Sequence, residues 1–299
     1  MMKKRIGVAG MVMVMVLWGA LAGFAASAEV QPAKSDLGAW WEKNSLTYAP
    51  VPEQWLFHLE GTFDFKRKTG NKDANVYNGS VSLMVRKKRF TNTLSYMIDK
   101  ELAQPTQSSP KENRDTDYRT IQEALRYDLT ARLYAEGGYM WEKDTVNLVD
   151  DRNIFYAGLG YTLLDRERYQ WEVFVAGGYQ EEKFPDKVRV GLNLTSENVT
   201  AGYFREDFRW KITDRFTFKH AFRIIQNLER SKIFNDDLNN LHEIGVTNRY
   251  RWFLINEIYC KLVPHLNFLI GYKMEYDSDP WPTVLERDAT LKTGFQFSF

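Results

Sequence analysis

The 299-residue sequence predicts an all-β protein: an antiparallel up-and-down transmembrane β-barrel of about twelve strands, behind a cleaved N-terminal signal peptide. Three observations predict it. Apolar and polar residues alternate with period two from Trp55 to the end of the chain, so each segment has one apolar and one polar face. The connections between these segments are long and short in strict turn. An up-and-down barrel demands that order, whereas a secreted sandwich with Greek-key crossovers does not. The last strand, Arg287 to Phe299, ends on a bare aromatic, with Phe295, Phe297 and Phe299 on the face that also carries Leu291 and Thr293.

The N-terminus predicts export. Met1 to Arg5 is basic, Ile6 to Phe24 is uncharged and largely apolar, and Ala26-Ser27-Ala28 supplies small residues for cleavage, which assigns residues 1–28 to a signal peptide. A retained inner-membrane anchor is the alternative, because the apolar run approaches spanning length. Its Gly, Ala and Ser content and the adjoining cleavage site argue against that. Residues 29–54 are expected to form a periplasmic extension, in which Ser35-Asp36 can cap a short helix through Trp41. It is either a flexible tail or a segment that packs Trp40 and Trp41 into the periplasmic mouth. Residues 55–299 form the barrel, with no linker that would divide them, and the expected location is the bacterial outer membrane.

Composition agrees. Aromatic residues make up 15% of a chain of which 26% is charged, a mixture that strands with one lipid face and one wet face produce. Loss of Lys3, Lys4 and Arg5 leaves 37 of the 40 basic residues against 39 acidic ones, a mature net charge of −2. No basic excess points to nucleic acid. Cys260 is alone, so no intrachain disulfide forms, and stability must come from a closed hydrogen-bond ladder.

The strands follow in order. Trp55 to Phe65 alternates most cleanly, against Leu56, His58, Glu60, Thr62, Asp64 and Lys66. Tyr77 to Val85 comes next, and after the basic turn 87–89 a third strand carries Phe90, Leu94, Tyr96 and Ile98. Further strands are expected at 117–128, 131–143, 152–163, 169–183, 195–212, 215–228, 241–263, 266–277 and 287–299. Long connections fall at 68–74, 102–116, 144–151, 184–194, 229–240 and 278–286, and tight ones at 87–89, 129–130, 164–168, 213–214 and 264–265. The segment 241–263 reads as one strand whose upper part stands above the membrane, since two would give an odd count. Glu123 and Glu206 fall on the outward parity near mid-strand, which implies a local bulge or a site near an interface.

Catalytic templates are missing. The four histidines, His58, His220, His242 and His265, have no Ser or Asp at a spacing that suggests a nucleophile and its base, and there is no Gly-x-Ser-x-Gly. No metal or cofactor is expected. The pairs Asp150-Asp151 and Asp236-Asp237 fall in expected outer loops, where they read as solvated charge more readily than as Ca²⁺ or lipopolysaccharide-bridging sites. The informative chemistry is the inward face. By parity it carries Glu136, Glu142 and Glu172 on the middle strands, then Arg205, Arg209, Lys219, Arg223, Arg249, Arg251 and Glu257. Two readings stay open: the charges line a pore that favours small charged solutes, or they pair across a closed lumen. An enzyme acting on lipid or lipopolysaccharide is the weaker third.

Phe155-Tyr-Ala-Gly-Leu-Gly-Tyr-Thr-Leu-Leu-Asp-Arg-Glu-Arg168, Ala176-Gly-Gly-Tyr-Gln-Glu-Glu182, Ile212 to His220 and Tyr276-Asp-Ser-Asp-Pro280 with Asp288, Gly294 and Phe299 carry a resemblance. Over about 55–299 the chain resembles the salt-induced outer-membrane protein family, a bacterial domain of unknown function. The resemblance implies an outer-membrane barrel and a link to salt stress, and brings no catalytic or binding residues. The basic turn at 87–89 and the Trp-rich N-terminal segment depart from its pattern. The closing strand also resembles those of outer-membrane barrels whose assembly machinery reads a terminal aromatic, here Phe299. Outer-membrane lipid, lipopolysaccharide and that machinery are therefore the expected partners.

Overall fold

The computed structural model describes residues 53–68, 74–103, 116–144, 149–183, 196–229, 231–234, 243–278 and 287–299. The chain divides into two units at Trp40/Trp41. The signal peptide, the 29–52 part of the expected extension, His242 and Asp236-Asp237 lie outside the described residues.

Twelve strands of the second unit close into an antiparallel barrel. They are β1 (Leu56–Lys68), β2 (Ala74–Lys87), β3 (Phe90–Ala103), β4 (Thr116–Asp128), β5 (Leu133–Asp144), β6 (Val149–Asp165), β7 (Tyr169–Lys183), β8 (Ser196–Lys211), β9 (Phe216–Asn227), β12 (Tyr250–Val263), β13 (Leu266–Asp277) and β14 (Arg287–Ser298). Two more, β10 (Ser231–Phe234) and β11 (Glu243–Thr247), pair with each other as a separate two-stranded sheet inserted between β9 and β12. Each barrel strand pairs with its neighbour in sequence, β9 reaches β12 across that insertion, and β1 pairs with β14. Closure leaves no free edge, the condition for a sheet surrounded by lipid.

The expected strand 241–263 is therefore corrected. It breaks at 248–249, and its first part belongs to the β10–β11 hairpin, so the barrel still counts twelve. A second correction concerns 144–151. β6 begins at Val149, and Asp150 and Asp151 are strand residues engaged by Lys143 (3.8 Å) and Lys183 (3.1 Å), with Trp141 Nε1 donating to Asp151 at 2.6 Å. They are not an open loop pair.

Parity holds around the wall. On β1, Phe57, Leu59, Phe63 and Phe65 are exposed outward while Leu56, His58 and Asp64 are buried. On β6, Phe155, Leu159, Tyr161 and Leu163 alternate with buried Arg152, Ile154 and Thr162. Glu123 and Glu206 need no bulge, because the registers on both sides of β4 and β8 run through them unbroken. They stay on the outward parity, each accepting a hydrogen bond from a neighbouring strand: Asn92 Nδ2 to Glu123 (3.0 Å) and Trp171 Nε1 to Glu206 (2.9 Å). Those bonds offset part of the cost of an outward carboxylate.

The seam explains the terminal residue. The Phe299 N–H donates to Leu59 O (2.8 Å) and Phe299 O accepts from Leu59 N–H (2.9 Å), so the last residue completes the β1–β14 ladder. Its ring stacks on His265 at 5.4 Å with a 6° interplanar angle. His265 has φ 68° in the tight Pro264-His265 turn, a left-handed conformation that costs a non-glycine residue roughly 1 kcal/mol. The contact of its Nδ1 with Ser298 O (2.6 Å) ties the strained turn to the closing strand.

Candidate functional site in the barrel lumen

The wall delivers all ten expected lumen residues to the inward face. Glu136, Glu142, Arg249 and Arg251 are buried there. Glu172, Arg205, Arg209, Lys219, Arg223 and Glu257 line a cavity together with Glu136. Arg249 sits in the break before β12, not on a strand as expected, and still points inward to Asp277.

Near the long-loop end the charges form a lattice. Arg152 of β6 donates to Glu142 of β5 (2.6 Å) and to Glu182 of β7 (2.9 Å). Arg249 bonds Asp277 (2.6 Å) and lies 3.9 Å from Glu182. Arg251 of β12 lies 3.7 Å from Glu142 and donates to Gln180 at 3.4 Å. Between β12 and β5 the wall holds β9, β8, β7 and β6, so the Arg251–Glu142 contact spans the lumen. A second crossing places the Lys273 ammonium of β13 over the Tyr118 ring of β4, 5.5 Å away. The lumen is bridged at this level from one wall to the far one.

Below the lattice lies an aromatic layer. Tyr134 and Phe174 stack at 6.3 Å, and Tyr156 meets Phe174 at 6.1 Å and Tyr203 at 5.9 Å. Glycines make room for the rings. Tyr134 faces Gly160 in register and Tyr156 faces Gly138, and a Cβ on either glycine would come within 2.0 or 2.5 Å of the ring. Gly160 of the 155–161 motif and Gly178 of the 176–179 motif, where an added Cβ would come within 2.6 Å of the Tyr203 ring, are thus sockets for inward aromatics. Two further bridges clamp the layer. Arg205 of β8 makes a two-pronged bond to Glu136 of β5 (2.8 and 3.0 Å), and Arg126 of β4 does the same to Glu172 of β7 (3.0 and 3.3 Å).

On the short-turn side a cavity of about 540 Å³ remains, walled by β2 to β5, β7 to β9 and β12. Its β8–β9 wall carries Arg205, Arg209, Lys219 and Arg223, and its β3–β4 wall carries Thr91, Thr93, Ser95, Gln122 and Arg126. At its margin Lys292 pairs with Glu257, and Lys219 lies over the Tyr259 ring at 4.6 Å.

Arg152, Glu182, Arg126 and Asp277 complete these networks and are absent from the ten residues expected. Parity alone would have found Arg152, Glu182 and Arg126, which lie on the same inward set as their neighbours. The histidines stand apart. His58 is buried 3.7 Å from Glu60, and His220 faces Asn256 at 2.9 Å between β9 and β12. Among the described residues no group of His, Cys, Asp and Glu is arranged to hold a metal ion.

Solved structures with this architecture are outer-membrane barrels. An outer membrane channel from Pseudomonas putida F1 aligns over 83% of this chain and 97% of its own, at TM-score 0.51 and 9% identity. A porin, NanC, aligns over 81% and 99% at TM-score 0.48 and 9% identity. The translocator domain of the autotransporter NalP from Neisseria meningitidis does so over 82% and 88%, at 0.42 and 10%. The likeness is one of fold. Among curated proteins no relative matches. One family model does match, across residues 62–299, and the chain belongs to that family, the proteins of unknown function termed DUF481.

Proposed function

We propose that the protein is a narrow, gated channel of the bacterial outer membrane for small charged solutes. One observation carries the reading: a solute-sized cavity with a basic wall lies beneath a lattice of ion pairs that bridges the lumen, with the aromatic layer between them. A cavity with fixed charge on one wall creates the transverse field that concentrates small ions, and the lattice is the barrier between it and the long-loop end. The long loops then face outward, toward lipopolysaccharide, and the strands' apolar face meets lipid.

The test is single-channel conductance of the refolded mature protein in planar bilayers across a salt series. Wild type should show brief, low-conductance openings. Replacing Glu142 and Arg251 together with Gln, which removes the cross-lumen pair and leaves neither charge alone, should raise open probability severalfold. The second reading, a closed structural barrel, is favoured by the bonds inside the lumen, since Arg251–Glu142 braces opposite walls and Arg205–Glu136 ties two strands across the two between them. It predicts silence in both proteins, and that outcome would replace the channel. The salt-stress link implied by the resemblance belongs to the same experiment, because raised salt weakens the more exposed pairs first.

Biogenesis carries its own proposal. Barrel-assembly machinery recognises the Phe299 ring, which is 67% exposed while its backbone seals the seam. Phe299→Ser should reduce the amount of folded barrel in cells, read as heat-modifiable migration on gels, while leaving refolding in detergent unchanged. Equal loss in both settings would make the ring structural.

A further inference from the structure

The β8–β9 wall of the cavity repeats one charge sign at matching heights. Arg205 stands directly opposite Arg223, and Arg209 directly opposite Lys219. Like charges in facing positions of an antiparallel pair repel, and something negative in front of them would relieve that cost. Glu136 and Asp207 answer Arg205 from inside the protein. Arg223 is different. It is exposed within the cavity, and among the described residues it forms no ion pair.

The balance of charge around the space agrees. Six basic residues line it, Arg86, Arg126, Arg205, Arg209, Lys219 and Arg223, against the acids Glu136, Glu172, Asp207 and Glu257. Just outside, Asp128 on Arg126 and Lys292 on Glu257 cancel each other, and Glu60 lies close enough to Lys219 to answer part of its charge, which leaves the excess at Arg223. The acids are engaged: Glu136 and Asp207 by Arg205, Glu172 by Arg126, and Glu257 by Lys292. Facing this wall, Thr93 and Ser95 of β3 and Gln122 of β4 offer neutral donors and acceptors.

We propose that this cavity is a binding site for a small hydroxylated organic anion, a sugar acid or comparable hydroxy-carboxylate. Its carboxylate sits in the fork of the Arg223 guanidinium, and its hydroxyls meet Thr93, Ser95 and Gln122 across the cavity. The guanidinium plane matches a carboxylate two-pronged, which an ammonium cannot do. A volume of about 540 Å³ takes a monosaccharide or disaccharide acid with its water. The proposal names the solute class for the channel reading above and rests on solute reaching the cavity.

The mature barrel in detergent micelles would be titrated with D-glucuronate, glucose, glucosamine and sulfate by calorimetry, and glucuronate would be added to the bilayer recordings. Saturable binding of glucuronate, with glucose and glucosamine silent, is expected. Arg223→Gln should weaken it about tenfold or more, the loss of one charged hydrogen-bonding fork, and Arg223→Lys should recover only part. Thr93→Val should weaken glucuronate and leave sulfate unchanged. Folding of each variant is checked by heat-modifiable migration. No glucuronate binding, equal binding of glucose, sulfate binding as tight as glucuronate, or indifference to both Arg223 variants would overturn the site. Binding in a barrel that never conducts upholds the site and removes the channel. Conductance without binding or block does the reverse.

Discussion

The lattice near the long loops and the wall of the cavity below it are built from the same residue types by the same strand parity, yet they behave as opposites. In the lattice every arginine meets an acid, and Arg152, only 1% exposed, reaches Glu142 on one neighbouring strand and Glu182 on the other. On the β8–β9 wall Arg205 faces Arg223 and Arg209 faces Lys219, and Arg223 forms no ion pair among the described residues. Parity sends charge inward in both places. Register decides whether it is cancelled there, and a cancelled charge braces the barrel while an uncancelled one attracts a solute.

The largest effect is expected where cancellation is most complete. Arg152→Met would strand Glu142 and Glu182 in a site from which water is excluded. Breaking a buried pair by removing one partner costs about 3–5 kcal/mol, and Arg251 at 3.7 Å and Arg249 at 3.9 Å hold the effect toward the lower figure. A urea titration of the refolded barrel would show a midpoint well below wild type. Adding Glu182→Gln to that variant should restore much of the loss, since Glu142 then keeps Arg251 and Arg249 keeps Asp277. A midpoint that does not move would mean water reaches the lattice, and would merge the two regions that the structure separates.

A smaller effect belongs to the layer between them. Gly160→Val would push into the Tyr134 ring that lies against it, and overpacking of this kind costs typically about 1–3 kcal/mol. Tyr134→Ala in the same chain should then be less harmful than in the wild type, because the ring and the new side chain compete for one space. If the two changes simply add in urea unfolding, the ring is not held by that socket.

Much of this was legible in the residues. Period two alone placed Glu136, Glu142, Glu172, Arg205, Arg209, Lys219, Arg223, Arg251 and Glu257 inward, and the long–short rhythm of connections gave the strand count. What stayed hidden depends on who faces whom. The Arg205–Glu136 bond joins residues 69 apart in sequence, across two intervening strands. Nothing local reveals it before the barrel's diameter and stagger are known. The break at 248–249 was hidden for a related reason: outward parity runs unchanged from Ile244 through Tyr250, and alternation is blind to which strand a segment pairs with. The socket at Gly160 left a signal in the motif itself, but small residues in a strand take on meaning only once the opposing Tyr is in register.

The sharpest contrast comes from the least disruptive change. Arg223→Ala removes an exposed guanidinium that pairs with no acid among the described residues, and it relieves the repulsion from Arg205 across the strand pair. Its effect on unfolding in urea should stay within about 0.5 kcal/mol, the range of a surface substitution away from packed features, and should lean toward stabilisation. Selectivity should nevertheless move: the reversal potential under a KCl gradient should shift toward cations, because the cavity loses a positive charge that nothing else balances. Arg152 and Arg223 would then report opposite things, one in stability and the other in selectivity. A destabilisation by Arg223→Ala comparable to that of Arg152→Met would show that both arginines brace the barrel, and the basic wall would join the lattice as structure.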